Sequence, residues 1–374
     1  MRGRAPQWAA LALVYALVGG GGCDDPAAPV GSVGSFTVVG RGFVATRTSD
    51  LWVHGDAAYT GTLECDCGRL YVWDISDPAD IALTDSIVVD AYTVNDVKLT
   101  EDGAIAVLTH EGSDDGWNGI TLLDLSDPLH PVVITRYTGD CTYLGEPSCL
   151  SGGIHNLWID GDHAYLVERA HGVHVVDISD PAHPIEVALF PRGDSHPHDV
   201  LVRDGLAFVS HWNDGLVILD VGNGMSGGSP ANPVEVSRIV LPNHGPVHNA
   251  WYWPEAGYVF IGEESFAEPL GRMHVVDVSD LTAPIYVADY FLAGSPPHNF
   301  WLDEDRGILF AAWYSNGLRA IDVTGELRGD LTGQGREYAS ALAGQSIWAP
   351  QVHDGLVFAS DVFGGIWALR FDAP

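Results

Sequence analysis

Apolar and polar residues alternate along most of this chain in short runs that turn-forming residues interrupt. Residues 155–190 show the unit: HNLWIDG, HAYLVE, GVHVVDIS and IEVALF follow one another, a Gly-Asp turn joining the first two and Asp180-Pro181 the last two. Period-two alternation bounded by Gly, Asp and Pro predicts antiparallel strands. The second half of the unit recurs as LYVWDISDPADIALTDSI from Leu70, GITLLDLSDPLHPVVITRY from Gly119, GVHVVDISDPAHPIEVALF from Gly172 and RMHVVDVSDLTAPIYVADY from Arg272. Weaker copies start at Gly215, Gly317 and Gly365. A period of about 40–50 residues built from short strands predicts an all-β fold, the β-propeller. Innermost strands starting at Asp50, Asn95, His155, His198, His248, His298 and Trp348 predict seven four-stranded blades.

The last unit has only three strands before the chain ends at Pro374. SFTVVGRGF, from Ser35, is predicted to pair with GIWALRF as the missing outer strand, closing the ring over residues 35–374 and removing a raw edge. In the recurring Asp-x-Ser-Asp-Pro phrase, Pro78, Pro128 and Pro181 preset φ while Asp77, Asp127 and Asp180 reach backbone amides, so the phrase reads as a turn. As calcium ligands these pairs lack the dense Asp/Gly pattern of calcium loops. Two units depart: GNGMSGGSPAN is inserted after Val221, and in GELRGDLTGQGREYASALAG, from Gly325, a short helix is expected in place of a regular outer strand.

The strings VVDISDPAHP, VVDVSD and LLDLSDP resemble LVIVD repeats, found in exported bacterial and archaeal β-propeller proteins. The resemblance covers nearly all of residues 35–374 and implies a secreted or surface-anchored propeller. It implies no particular activity, because the family carries no single accepted one.

The N-terminus adds a destination. Arg2 and Arg4 precede an apolar run from Trp8 to Val18, too short to span a bilayer, and small residues follow: residues 1–22 read as a secretory signal peptide. Gly22 before Cys23, with Asp24 and Asp25 after it, resembles a bacterial lipoprotein cleavage site, although Gly20 stands where leucine is usual. A lipidated Cys23, residues 23–34 as a flexible tether and a place in the cell envelope are therefore expected; ordinary signal-peptidase cleavage is the alternative. Acylating Cys23 leaves Cys65, Cys67, Cys141 and Cys149, an even set that an oxidising compartment would let pair in any of three connectivities. Cys141–Cys149 closes a short loop, whereas a bridge within Cys65-Asp66-Cys67 would be strained.

Charge narrows the partners. With 50 Asp plus Glu against 17 Lys plus Arg, the formal net charge is −33, which repels nucleic acid and anionic head groups. Membrane contact is expected only through the lipid anchor. Apolar residues still make up 46% of the chain, enough for a packed core. No Gly-rich phosphate loop, nucleophile elbow or zinc-finger cysteine pair is present.

Aligning the units places Ser49, Asn95, His155, His198, His248, His298 and Trp348 at the first position of each innermost strand. Asp50, Asp96, Asn156, Asp199, Asn249, Asn299 and Ala349 follow them. Innermost strands line a propeller's channel, so His155, His198, His248 and His298 are expected near one channel mouth. A second ring, Glu168, His211, Glu263, Trp313 and Asp361, ends the neighbouring strands on the same face, and His196, His110 and Glu111 could join from adjoining loops. Imidazoles beside carboxylates suit a divalent transition metal ion. The bland alternative is a duplicated His-Asn turn that satisfies backbone groups where a strand begins. Trp52, Trp158, Trp251 and Trp301 are expected in inter-blade core, and His54, His130, His174, His183 and His274 at surface or strand positions. Two functions follow. One is an envelope-anchored binding module that takes a protein, glycan or small-molecule ligand at the loop face; the other is a metal-dependent enzyme, oxidoreductase or hydrolase, using the same histidines.

Overall fold

The computed structural model describes residues 34–65, 68–139, 149–242 and 244–374. The signal peptide, Cys23 and the tether lie outside the described residues, as do Cys67 and Cys141 and hence the choice of disulfide partners. Seven antiparallel four-stranded sheets, one extended by a short fifth strand, form the all-β propeller. From the channel outward, blade 1 comprises Thr48–His54, Ala57–Thr62, Arg69–Asp74 and Ala82–Val88. Blades 2 to 6 repeat this order from inner strands Val97–Leu99, Ile154–Asp160, Asp199–Arg203, Val247–Trp253 and Phe300–Asp303.

Blade 7 shows how the ring closes. Ile347–His353, Leu356–Asp361 and Gly365–Asp372 are its first three strands, and the N-terminal Ser35–Gly42 pairs antiparallel with the last, from Ser35 opposite Asp372 to Gly42 opposite Ile366. Phe36 on that strand packs on Phe371 and on Phe310 of blade 6, with ring centroids 5.0 and 6.1 Å apart. On the other side, Trp73 and Leu51 of blade 1 share a core with Phe358 and Ile366 of blade 7. Burying such side chains stabilises the ring by roughly 1.5–3 kcal/mol each, so closure is a packing event as well as a hydrogen-bonding one.

The repeated phrase serves as scaffold. Asp177 accepts from the Ser179 amide (2.9 Å) and Asp180 from the Ala182 amide (3.1 Å); Asp74 and Asp77, Asp124 and Asp127, and Asp277 and Asp280 do the same in their blades. Each turn thus carries two successive Asx bonds from its own carboxylates. The glycine before the phrase has its own reason. Gly172 has φ +145°, and a Cβ there would lie 2.0 Å from the Phe190 carbonyl oxygen on the outer strand; Gly215 has φ +90° and the same 2.1 Å approach to Ile239.

Both irregular units resolve into local devices. The insertion after Val221 folds around Asp220, whose buried carboxylate accepts from the amides of Gly222, Gly224, Ser226 and Gly228. Burial alone would raise the Asp220 pKa, yet those four bonds hold it far below the usual carboxylate range. The helix expected after Gly325 does not form. Gly329–Asp330 instead pairs in parallel with the outer strand of blade 5, and Glu337–Ala341 completes blade 6 as a regular outer strand. A segment rich in glycine has a poor helix propensity, and an open sheet edge nearby satisfies its amides better.

Candidate functional site at the channel mouth

A bulge at the start of the inner strands sets the geometry. In blade 3, Ile154 pairs with Glu168 and Asn156 with Val167, leaving His155 as an extra residue; in blade 5, His248 is left over between Val247 and Asn249 in the same way. Similar register shifts fall at Ser49-Asp50 and Trp348-Ala349. A bulge lets two consecutive side chains turn to one side, so in blades 3 and 5 the histidine and the asparagine after it both face the channel.

The four histidines form a continuous row. Ring centroids lie 4.4 Å apart for His155–His198, 4.5 Å for His198–His248 and 4.2 Å for His248–His298, and Trp348 ends the row 4.0 Å from His298. His198 Nδ1 donates to the His248 carbonyl (3.2 Å) and His298 Nδ1 to the Trp348 carbonyl (2.7 Å), each reaching the next blade. These bonds fix the tautomer and leave Nε2 as an acceptor. Burial foremost, then neighbouring imidazoles, holds His198 and His298 well below the ordinary histidine pKa. Both stay neutral at pH 7, the form that ligates metal.

The residues that flank this row come from one position after the predicted second ring. Glu111 Oε1 meets His155 Nδ1 at 2.7 Å, and Arg169 Nη2 reaches Nε2 of His155 (2.8 Å) and of His198 (3.1 Å). Trp212 lies 4.7 Å from His198, Glu264 Oε2 lies 3.7 Å from His248 Nε2, and Tyr314 donates its hydroxyl to Glu264 and packs 5.0 Å from His298. Glu111 was foreseen; Arg169, Trp212, Glu264 and Tyr314 were not. Their signal was present, because each follows its ring residue directly and adjacent strand positions point to opposite faces. Burial would raise the Glu111 pKa, but His155 and Arg169 pull it below the usual range. His196 stacks on Trp212 at 5.2 Å and is held down to about 4 by burial and Arg169.

The second ring itself turns inward, into the blades. Glu168 bonds His174 Nε2 (3.0 Å) on the adjacent strand, Glu263 bonds His274 Nε2 (2.9 Å), and Asp361 accepts from Trp367 Nε1 (3.1 Å). His211 is buried with Asp214 3.6 Å from its Nδ1, and Trp313 donates to the Ser295 carbonyl (2.7 Å). His110 bonds Thr121 (2.9 Å) within blade 2. His174 and His274, expected at surface or strand positions, lie on third strands, 0% and 1% exposed and paired with these carboxylates.

Deeper in the channel a polar tier gives way to an aromatic one. Lys98, the only lysine of the chain, is buried between Asp50 (3.1 Å) and Asp96. Beyond it Trp52 meets Trp158 (6.0 Å) and Trp301 (6.1 Å), and Trp251 meets Trp301 (5.0 Å). These half-buried tryptophans come from blades 1, 3, 5 and 6 and converge across the bore; Trp52, Trp158 and Trp251 also rest one edge on the inter-blade cores. Inter-blade core alone is therefore not their place. In blades 1, 3 and 5 the bulge is the reason: it resets the alternation, so Trp52, Trp158 and Trp251, three positions after Ser49, His155 and His248, share the channel face.

A family model described as the LVIVD repeat matches residues 45–89, 114–139, 151–190, 195–240 and 257–291, slightly more than half of the chain. The chain belongs to the LVIVD-repeat family. The matched segments cover strands of blades 1 to 5 with the Asp-Pro turns of blades 1 to 3, and they include His155 and His198 but not His248 or His298. A crystal structure of the computationally designed Ika8 protein is similar to this LVIVD-repeat propeller with a TM-score of 0.58 and 12% identity, over 89% of this chain and 99% of that one. At that identity the likeness speaks for the fold alone. No curated protein matches the sequence.

Proposed function

We propose that this LVIVD-repeat propeller is an envelope-tethered binding module whose histidine mouth holds a divalent transition metal and, through it, a small anionic ligand or an anionic group of a protein or glycan. The observation that carries the reading is the convergence of His198, His248 and Glu264, whose ligating atoms all lie within 4.8 Å of one another. Two imidazoles and a carboxylate form a His₂Glu set that leaves a fourth position open. Arg169 donates to Nε2 of His155 and of His198; metal binding would take over the His198 Nε2 lone pair, and the released guanidinium would stand beside an anionic group entering the open position as its counter-charge. The tether and a lipidated Cys23 would hold the mouth near the membrane; among the described residues no helix is long and apolar enough to cross one. The acidic surface favours arrival of a cation.

Metal analysis and zinc titration of untagged protein test the reading. The wild type should bind metal at the mouth, and the His198→Ala/His248→Ala double variant should lose one equivalent. Unchanged stoichiometry in that variant, with melting curves blind to zinc, copper and calcium at this site, would leave a metal-free interaction propeller.

A further inference from the structure

Blade 3 carries a second group of ligating side chains, away from the channel. Glu168 ends the second strand, His171 lies in the tight turn after it, and His174 sits on the third strand, Gly172–Asp177. Glu168 Oε2 touches both His171 Nδ1 (2.5 Å) and His174 Nε2 (3.0 Å). Glu168 and His174 are wholly buried, whereas the His171 side chain is 40% exposed, so the cluster opens to solvent on one side.

Blade 5 provides an internal comparison. It repeats the pair as Glu263 and His274, at 2.9 Å, which shows that the pair by itself is a structural feature of the repeat. Blade 3 adds two things. The first is His171, a third ligand. The second is Glu186 on the outer strand, whose Oε1 meets His174 Nδ1 at 3.0 Å. Tyr286 takes the matching position in blade 5, opposite Val276 as Glu186 is opposite Val176, and His274 Nδ1 is buried without a hydrogen-bond partner. A carboxylate on the far nitrogen orients a ligating histidine and raises its basicity. Glu168 Oε1 is likewise held, by the Gly152 amide at 2.8 Å, leaving Oε2 for the cluster.

We infer that Glu168, His171 and His174 form a second metal site, for zinc or a similar divalent transition ion, with Glu186 as the positioning residue for His174. The three ligating atoms lie within 4.8 Å of one another, and a solvent-exposed fourth position completes the tetrahedron zinc prefers. The site is independent of the mouth: Arg169, the residue between Glu168 and the turn, points the other way, to His155 and His198.

Cobalt(II) titration of the full mature chain, followed by visible absorption and by equilibrium dialysis, tests the assignment. His171→Ala is the decisive variant because its side chain is partly exposed and its loss spares the core. It should bind one equivalent fewer than its parent, whether that parent is the wild type or the His198→Ala/His248→Ala variant, so that failure of the mouth reading and of this one are told apart. Glu186→Gln should keep the equivalent but weaken it about 10–100-fold. His171→Ala binding as many equivalents as the wild type, with the same affinity and spectrum, overturns the inference.

Discussion

At the scale of single residues, the histidine row packs buried imidazoles in close contact, and this has a pH consequence. Burial first, and neighbouring imidazoles second, depress the folded-state pKa of His198 and His298, whereas histidine in the unfolded chain titrates near 6.5. Below about pH 6.5 the unfolded chain therefore takes up protons that the folded row refuses. The stability contribution is present above that pH and is lost as pH falls, by up to about 1.4 kcal/mol per pH unit for each group. The melting temperature of metal-free protein should drop between pH 7 and pH 5, and a shallower drop is expected for His298→Phe; an unchanged slope would show that the row does not control it. Lys98 makes the opposite kind of prediction. It is the one cation between the buried carboxylates of Asp50 and Asp96. Lys98→Met should cost about 3–5 kcal/mol in urea denaturation, since breaking a buried pair strands its partner. Adding Asp50→Asn and Asp96→Asn should restore most of it.

At the scale of the strand, the bulge and the glycine decide what each blade can present. The bulge turns His155 and Asn156, or His248 and Asn249, to the channel together. The glycine lets the third strand leave its turn against the outer strand's carbonyl. Gly172→Ala combines a positive φ with a 2.0 Å approach to the Phe190 oxygen, so about 1–3 kcal/mol of destabilisation is expected. Calorimetry reads it directly, and a variant as stable as the parent would mean that the outer strand moves aside freely. Since Gly172 adjoins His171, the same variant should also weaken metal uptake at blade 3 if the turn positions that ligand.

At the scale of the molecule, the propeller is one ring closed by its first strand. Ser35–Gly42 pairs along Gly365–Asp372, and Phe36 packs on aromatic rings of blades 6 and 7. Deleting residues 35–43 should lower the melting temperature of the whole domain in a single transition, because it exposes the seam between blades 7 and 1 to water. Phe36→Ala, half-buried, should cost about 2 kcal/mol, below the range for a fully buried phenylalanine. If the truncated chain melted like the parent, the closure would contribute nothing to stability.

How much of this was legible in the residues follows from distance along the chain. The strands, the Asp-Pro turns, the blade number and the strand that closes the ring are encoded locally, in period-two alternation and turn chemistry, and repetition then carries them around the ring. Alignment of the repeats also brought His155, His198, His248 and His298 to one mouth. Which side of a strand a residue faces was not local information. A one-residue bulge, set by pairing with the neighbouring strand, turned Trp52, Trp158 and Trp251 into the bore, and the opposite facing of successive residues at the end of that neighbouring strand put Arg169 and Glu264, rather than Glu168 and Glu263, at the mouth. Sequence by itself determined the architecture and the histidine row, because both repeat. Only the tertiary structure decided the partners of those histidines and the Glu168–His171–His174 cluster, because face and register are settled between strands, where one residue changes the side.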